Sequence, residues 1–281
     1  LRAGIREGRR ADNEMSSTLS PEQVTRYERE GFVFPVSVLT PAEAATFRVG
    51  FETLEARLGG RPAHTQLVQP HLCYRWAYDL ATHPQVLDAV EAVVGPNILV
   101  HSSSIFPKYP GRPERICWHQ DAYYWGLNLP RLTSAWIALS DSTVENGCMR
   151  AVPGTHLRGV APHHQTSTTG DNRITLEVSV EVDEARAVDV VLRETEMSLH
   201  HPYLVHGSNA NRSTGKRLGF AVRYVAPEVR QSLPHHAVVL ARGFDDFNHF
   251  TPLAQSPADD LEAGIAAQAE LARWAQKIRL G

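Results

Sequence analysis

The sequence predicts a mainly β protein with flanking helices, built around an antiparallel sandwich or barrel. Three observations lead there. Between Asn97 and Val225, about eight short runs rich in β-branched and aromatic residues are separated by turn formers. No helical pattern lies between those runs, which argues against an alternating βαβ sheet. Capped, helix-like segments lie before and after this region instead.

The first helix opens with Ser20 as N-cap and Pro21 at the first position, runs through EQVTRYERE and closes at Gly31. A strand is predicted at Phe32-Val33-Phe34. Thr40 and Pro41 start a second helix that stops at Gly59-Gly60, and PQVLDAVEAVV forms a third that ends at Gly95-Pro96. The predicted strands are NILVHSSSIFPK, RICWHQDAYYW, LTSAWIALS, CMRAVP, ITLEVSVEV, AVDVVLR, EMSLHHPYLVH and KRLGFAVRYV. ADDLEAGIAAQAELARWAQKIRL reads as a final helix. With no repeat, low-complexity tract or linker in view, residues 18–281 are expected to form one domain. Residues 1–17 are set apart as a disordered or appended N-terminus, with Met15 a candidate natural start.

Composition limits the functions to consider. Hydrophobic residues make up 42% of the 281, enough for a substantial core. The 28 basic and 31 acidic residues are interspersed, so there is no basic stripe to follow a nucleic-acid backbone. No apolar run approaches a membrane span and the opening lacks a secretory pattern, so a cytoplasmic protein is expected. Cys73, Cys117 and Cys148 form no CxxC pair and no disulfide framework; they are expected reduced and buried.

Candidate chemistry begins at His119-Gln120-Asp121. On a strand, His119 and Asp121 share one face while Gln120 points to the other, and about 6.6 Å between their α-carbons lets both side chains converge on one ion. A surface ion pair is the alternative. His206 ends a later run, the turn-rich GSNANRSTG follows, and Arg217 opens the next strand. Gly219 and Ala221 share the face of Arg217, with Leu218, Phe220, Val222 and Tyr224 on the other. Small residues there leave room for a ligand, and an inward guanidinium needs an anion, which a carboxylate meets with two parallel hydrogen bonds. A solvated salt bridge is the alternative for Arg217. Taken together, the spacing is His-x-Asp, 84 residues, His, then Arg eleven residues on. Two imidazoles and a carboxylate on one side of a metal form the facial triad of non-haem iron oxygenases. No cysteine has zinc-site spacing, and Cys117 reads as packing.

Several segments in order resemble the phytanoyl-CoA dioxygenase family: YEREGFVFPVSVLTPAEA, SSSIFPKYPG, WHQDAYYWGL, TSAWIALSDSTVENGCMRAVPGTH and EMSLHHPYLVHGSNANRSTGKR. The resemblance covers nearly all of the chain after Leu19. It implies a double-stranded β-helix, the cupin-like jelly-roll barrel, with Fe(II) on His119, Asp121 and His206. It also implies that Arg217 and Ser208 bind the far carboxylate of 2-oxoglutarate, with Trp136 and Ser104 lining the same pocket. O2 is the second cosubstrate; succinate and CO2 are released, and hydroxylation of the substrate is the default outcome. Relatives that chlorinate carry a small residue where this chain has Asp121, so halogenation is not expected.

Other residues receive lesser roles. His201 lies sixteen residues before Arg217 without a following Gly-Ser and is assigned to packing or support of the ligands. Gly147 and Pro153-Gly154 are structural, and His156 is a minor substrate candidate. Tyr123, on the face of His119 and Asp121, and Trp125 are candidates to touch substrate. The polar segment from Arg158 to Ile174 is expected to form part of a lid over a polar, hydroxylated or amino-bearing small molecule. A tailoring step in natural-product biosynthesis is the favoured setting, and the protein is expected as a monomer or homodimer. Competing readings are oxidative cyclisation or desaturation with the same cofactors, a non-catalytic binding barrel, and a zinc hydrolase.

Overall fold

A computed structural model describes residues 18–128, 131–165, 176–178 and 182–280. The N-terminal segment 1–17 and positions 166–174 of the predicted lid lie outside the described residues. Helix α1 (Pro21–Glu30) begins with a complete capping box between Ser20 and Gln23 and ends on Gly31 in the left-handed region. Strand β1 (Phe32–Ser37) is longer than predicted. Helix α2 (Pro41–Arg57) repeats the capping logic with Thr40 and Glu43. A short helix not evident in the sequence, α3 (Arg75–Ala81), precedes α4 (Pro84–Val94).

The β region then follows as β2 (Ile98–Lys108), β3 (Ile116–His119), β4 (Leu132–Ala138), β5 (Met149–Ala151), β6 (His163–Gln165) and β7 (Leu176–Val178). It continues through β8 (Val188–Val190), β9 (Glu196–His200), β10 (His206–Ser208), β11 (Arg217–Val225) and β12 (Val239–Arg242), and α5 (Leu261–Leu280) closes the chain. A six-stranded antiparallel sheet in the order β1-β9-β4-β11-β2-β12 faces a four-stranded one, β3-β10-β5-β8. This is the jelly-roll arrangement expected.

Two cores result from strand alternation. Leu218, Phe220, Val222 and Tyr224 of β11 turn outward and join Phe51, Leu80, Val86 and Val90 from the helices in one apolar cluster. Trp136, Ala138 and Ala221 turn inward and pack with Phe32, Met149, Ala151 and Val190 between the sheets. Because both faces are covered, β11 is buried along almost its whole length. The Tyr224 hydroxyl donates to the Ala81 carbonyl over 2.8 Å, tying the sheet to the end of α3. Gln268 of α5 donates to the carbonyls of Thr65 and Val68, anchoring the last helix.

Three elements differ from expectation. EMSLHHPYLVH is not one strand: it divides at Pro202 into β9 and β10, which belong to different sheets. Within the predicted polar lid, His163–Gln165 pairs with Leu176–Val178 as a two-stranded antiparallel ribbon. β12 was not foreseen; it pairs with β2 at the sheet edge, where a short run leaves little alternation to read.

Buried histidines make the fold sensitive to acid. Burial lowers the pKa of His71 to about 3, and those of His101 and His201 to about 4. Unfolded histidine titrates near 6.5, so below that pH the unfolded chain takes up protons that the folded chain refuses. Stability is then full above about pH 6.5 and declines toward pH 4, by at most roughly 1.4 kcal/mol per pH unit per group. The thermal midpoint should fall steadily from about pH 7 to about pH 5. A constant midpoint over that range would contradict this assignment.

Candidate metal centre

Register brings the two histidines together. β3 and β10 are antiparallel neighbours in which His119 pairs directly with His206, and their ring centroids lie 4.2 Å apart. Each ring is oriented from behind: His119 Nδ1 contacts the Cys117 carbonyl at 2.9 Å and His206 Nδ1 the Leu204 carbonyl at 3.0 Å. Donating from Nδ1 fixes the tautomer in which Nε2 is a bare lone pair facing the cavity.

Asp121 completes the group by a route different from the one predicted. β3 stops at His119, and Asp121 opens a 3-10 turn spanning Asp121–Tyr124. Gln120 keeps extended angles, φ −120° and ψ 128°, so alternation still carries Asp121 to the side of His119. The turn then ends the alternation. Tyr123 is 43% exposed rather than continuing the ligand face.

Ligand atoms of His119, Asp121 and His206 all lie within 4.8 Å of one another, and all three residues are buried. Asp121 Oδ1 is 3.6 Å from His119 Nε2, whereas Oδ2 is held from outside the group. It accepts from Ser134 Oγ at 3.0 Å and lies 3.6 Å from His200 Nε2 and 3.9 Å from Arg223 Nε. Burial opposes ionisation of this carboxyl, but the charge of Arg223 and the contact of His200 outweigh it. Its pKa lies well below the usual carboxylate range. Burial, reinforced by His119 and His200, likewise keeps His206 neutral far below its ordinary pKa. A charged carboxylate, a neutral His206 and two Nε2 atoms turned inward by the Nδ1 contacts are what a divalent metal site requires. The residues fit an iron ion.

The same cavity is lined by the triad together with Trp136, Ser208, Arg217 and Arg223. Arg217 is 2% exposed; it donates to the carbonyls of Gly147 and Phe106, and its Cζ lies 5.0 Å from the Trp136 ring centroid. Beside it, Lys108 Nζ donates to Ser208 Oγ at 2.7 Å. Cations and a hydroxyl thus converge at this end.

A model of the phytanoyl-CoA dioxygenase family matches residues 27–219, a span that includes His119, Asp121, His206 and Arg217. The chain belongs to the phytanoyl-CoA dioxygenase family. Peroxisomal phytanoyl-CoA dioxygenase of Bos taurus is 26% identical over 234 residues, covering 74% of this chain and 69% of that one. Among solved structures, the apo form of the non-heme monooxygenase ThoJ matches with a TM-score of 0.78 and 33% identity, over 92% of this chain and 98% of ThoJ. The non-heme alpha-ketoglutarate-dependent carbocyclase SnoK, from nogalamycin biosynthesis, matches at 0.59 and 26%, over 77% and 88%. Membership in the phytanoyl-CoA dioxygenase family makes this protein an iron- and 2-oxoglutarate-dependent dioxygenase that uses O2.

Against this family frame, the remaining predicted residues divide. Ser208 and Trp136 stand at the Arg217 end of the cavity. Ser104 lies instead opposite Ala221, where its Oγ accepts from Arg223 at 3.2 Å. Trp125 also faces Arg223, whose Cζ is 5.7 Å from its ring centroid. His156 contacts the Glu28 carbonyl and packs on Gly31, holding α1 rather than lining the cavity. His201 packs between His156 and Tyr203, the packing role of the two expected for it. The cysteines are free and buried, and no helix among the described residues is long and apolar enough to cross a membrane.

Gly219 requires a correction. A Cβ there would fall inside the Trp136 indole, so the missing side chain makes room for that ring and not for a ligand. Gly219→Ala should cost about 1–3 kcal/mol through overpacking and displace Trp136 from Arg217. A lowered thermal midpoint with weaker cosubstrate binding is expected; wild-type values for both would contradict the contact.

Ser134, His200, Lys108 and Gln120 are not marked as site residues by the sequence, whereas Arg223 is legible there as the alternative carboxylate partner to Arg217. It has the parity of Arg217 on β11, as Ser134 has that of Trp136 on β4. His200 could have been found from Pro202, which ends the strand just beyond it. Gln120 faces away from the metal, and its amide donates to the carbonyls of Gly159 and Tyr203 and accepts from Ala161 N. No sequence pattern marks that clamp.

Proposed function

We propose that this dioxygenase hydroxylates a small, polar organic metabolite in a natural-product tailoring step, with Fe(II) held by His119, Asp121 and His206. The observation that carries this reading is the presence of three buried, converging ligand residues and the buried Arg217 in one cavity. When bound, iron and 2-oxoglutarate together supply an oxidant able to take a hydrogen atom from an unactivated C–H bond, with succinate and CO2 released.

The chain's own residues orient and protect. Ser134 and His200 hold the outer oxygen of Asp121, so that only Oδ1 points inward. Arg217 and Ser208 receive the far carboxylate of the cosubstrate, Lys108 adds positive charge beside them, and Trp136 keeps the guanidinium in place. Substrate enters from the Trp125 side, with Tyr123 at the rim. The likeness to a carbocyclase supports ring closure as a second outcome, decided by where the substrate radical lies. A reducing, cytoplasmic setting agrees with three free, buried thiols.

Turnover tests this reading. Aerobic incubation with Fe(II) and 2-oxoglutarate should yield succinate and consume O2, slowly without substrate, and a chelator should stop both. Iron-independent succinate formation, or none at all, would contradict it.

A further inference from the structure

We propose that Arg223 is a second anion-binding position in the cavity, one that receives a carboxylate carried by the substrate. The inference rests on the iron and 2-oxoglutarate reading and adds the substrate's charge to it. β11 presents Arg217, Gly219, Ala221 and Arg223 on its inward face, which spaces the two arginines by roughly 20 Å at about 3.3 Å per residue. Both line the same cavity. Arg217, with Ser208 and Lys108 beside it, accounts for the cosubstrate; Arg223 lies at the other end, against Trp125.

Charge balance supplies the first argument. In the loaded site the cosubstrate dianion offsets the two charges of the metal, and Asp121 offsets one arginine. Counting Lys108 beside Arg217, two positive charges remain, one of them on Arg223, whose side chain is only 12% exposed. A buried cation without a counter-charge is costly, and a monoanionic substrate removes that cost.

Hydrogen bonding supplies the second. The only carboxylate paired with Arg223 among the described residues is Asp121, at 3.9 Å from Nε, too long for a hydrogen bond. Arg223 Nε is buried and has no hydrogen-bond acceptor among the described residues. Nη1 donates to Ser104 Oγ. Once Asp121 gives its charge to a metal, the fork of Arg223 is left an unsatisfied cation in the cavity wall. Trp125 and Phe106 flank it, with ring centroids 5.7 and 5.9 Å from Cζ. They offer flat apolar surface beside the charge, as an aromatic or similarly flat carboxylate requires.

The test uses benzoate and its neutral analogue benzamide, titrated calorimetrically into anaerobic protein carrying Fe(II) and 2-oxoglutarate. Benzoate should bind saturably, at least about tenfold more tightly than benzamide, without displacing the cosubstrate. Arg223→Gln should weaken benzoate by about tenfold or more, and Arg223→Lys should recover part of the loss, while the visible band of the iron–cosubstrate complex persists in both. Equal binding of benzamide, displacement of 2-oxoglutarate by benzoate, an unchanged benzoate affinity in Arg223→Gln, or no benzoate binding would each overturn the proposal. Loss of the iron–cosubstrate band in Arg223→Gln would make Arg223 a support for Asp121 and overturn it too. A failure of the dioxygenase reading shows separately, as absence of that band in the unaltered protein, and the calorimetric comparison still reports on Arg223.

Discussion

Replacing Arg217 with alanine is expected to weaken 2-oxoglutarate binding by about 2 to 5 kcal/mol, roughly thirtyfold to several-thousandfold. The size follows from burial. At 2% exposure, water cannot replace the guanidinium, and a carboxylate left facing the Trp136 ring would lie desolvated without its partner. Lysine should recover only part of the affinity, because an ammonium keeps the charge without the planar fork. Iron binding without cosubstrate should change little, since Arg217 is held by the carbonyls of Gly147 and Phe106 and by the Trp136 ring. Titrations of the anaerobic Fe(II) protein with 2-oxoglutarate check all three statements. An unchanged affinity in Arg217→Ala would move the far carboxylate to Arg223 or Lys108.

Loss of either histidine should have the largest effect on the metal. His119→Ala or His206→Ala removes an Nε2 ligand from a pair held ring to ring across β3 and β10, and neither neighbouring strand offers a substitute in the same place. Iron affinity should fall by more than the roughly 10–100-fold that loss of a mere supporting hydrogen bond costs. Asp121→Ala should retain weaker binding through the two imidazoles while losing turnover. His200 is the nearest spare imidazole, 4.8 Å from His206 between ring centroids. Its place on the outer oxygen of Asp121 makes it a support, not a replacement. Equilibrium dialysis followed by metal analysis decides this; full iron occupancy in either histidine variant would remove the triad assignment.

Much of this site could be read from the sequence because strand alternation is a strict rule wherever both faces are buried. His119 with Asp121, and Arg217 with Gly219 and Ala221, were placed on common faces by parity alone, and β11 obeys that parity throughout. Parity failed where the chain turned. Tyr123 left the ligand face because a 3-10 turn follows Asp121, and nothing local in DAYY marks that turn. Long-range pairing was not legible. That β9 and β10 belong to opposite sheets, and that His206 therefore meets His119, depends on strand order, to which the helices and both sheets contribute. The groups gathered around the outer oxygen of Asp121, namely Ser134, His200 and Arg223, come from three different strands, so no single segment could announce them.

The central claim is that one cavity holds iron on His119, Asp121 and His206 and 2-oxoglutarate on that iron and Arg217. Anaerobic titration of the Fe(II) protein with 2-oxoglutarate tests it most directly, because the visible charge-transfer band arises only when the keto acid chelates the metal. The account predicts a band that saturates at one cosubstrate per chain, vanishes in His206→Ala and needs far more 2-oxoglutarate in Arg217→Ala. Failure of iron-loaded wild-type protein to develop the band, or an undiminished band in His206→Ala, would contradict it.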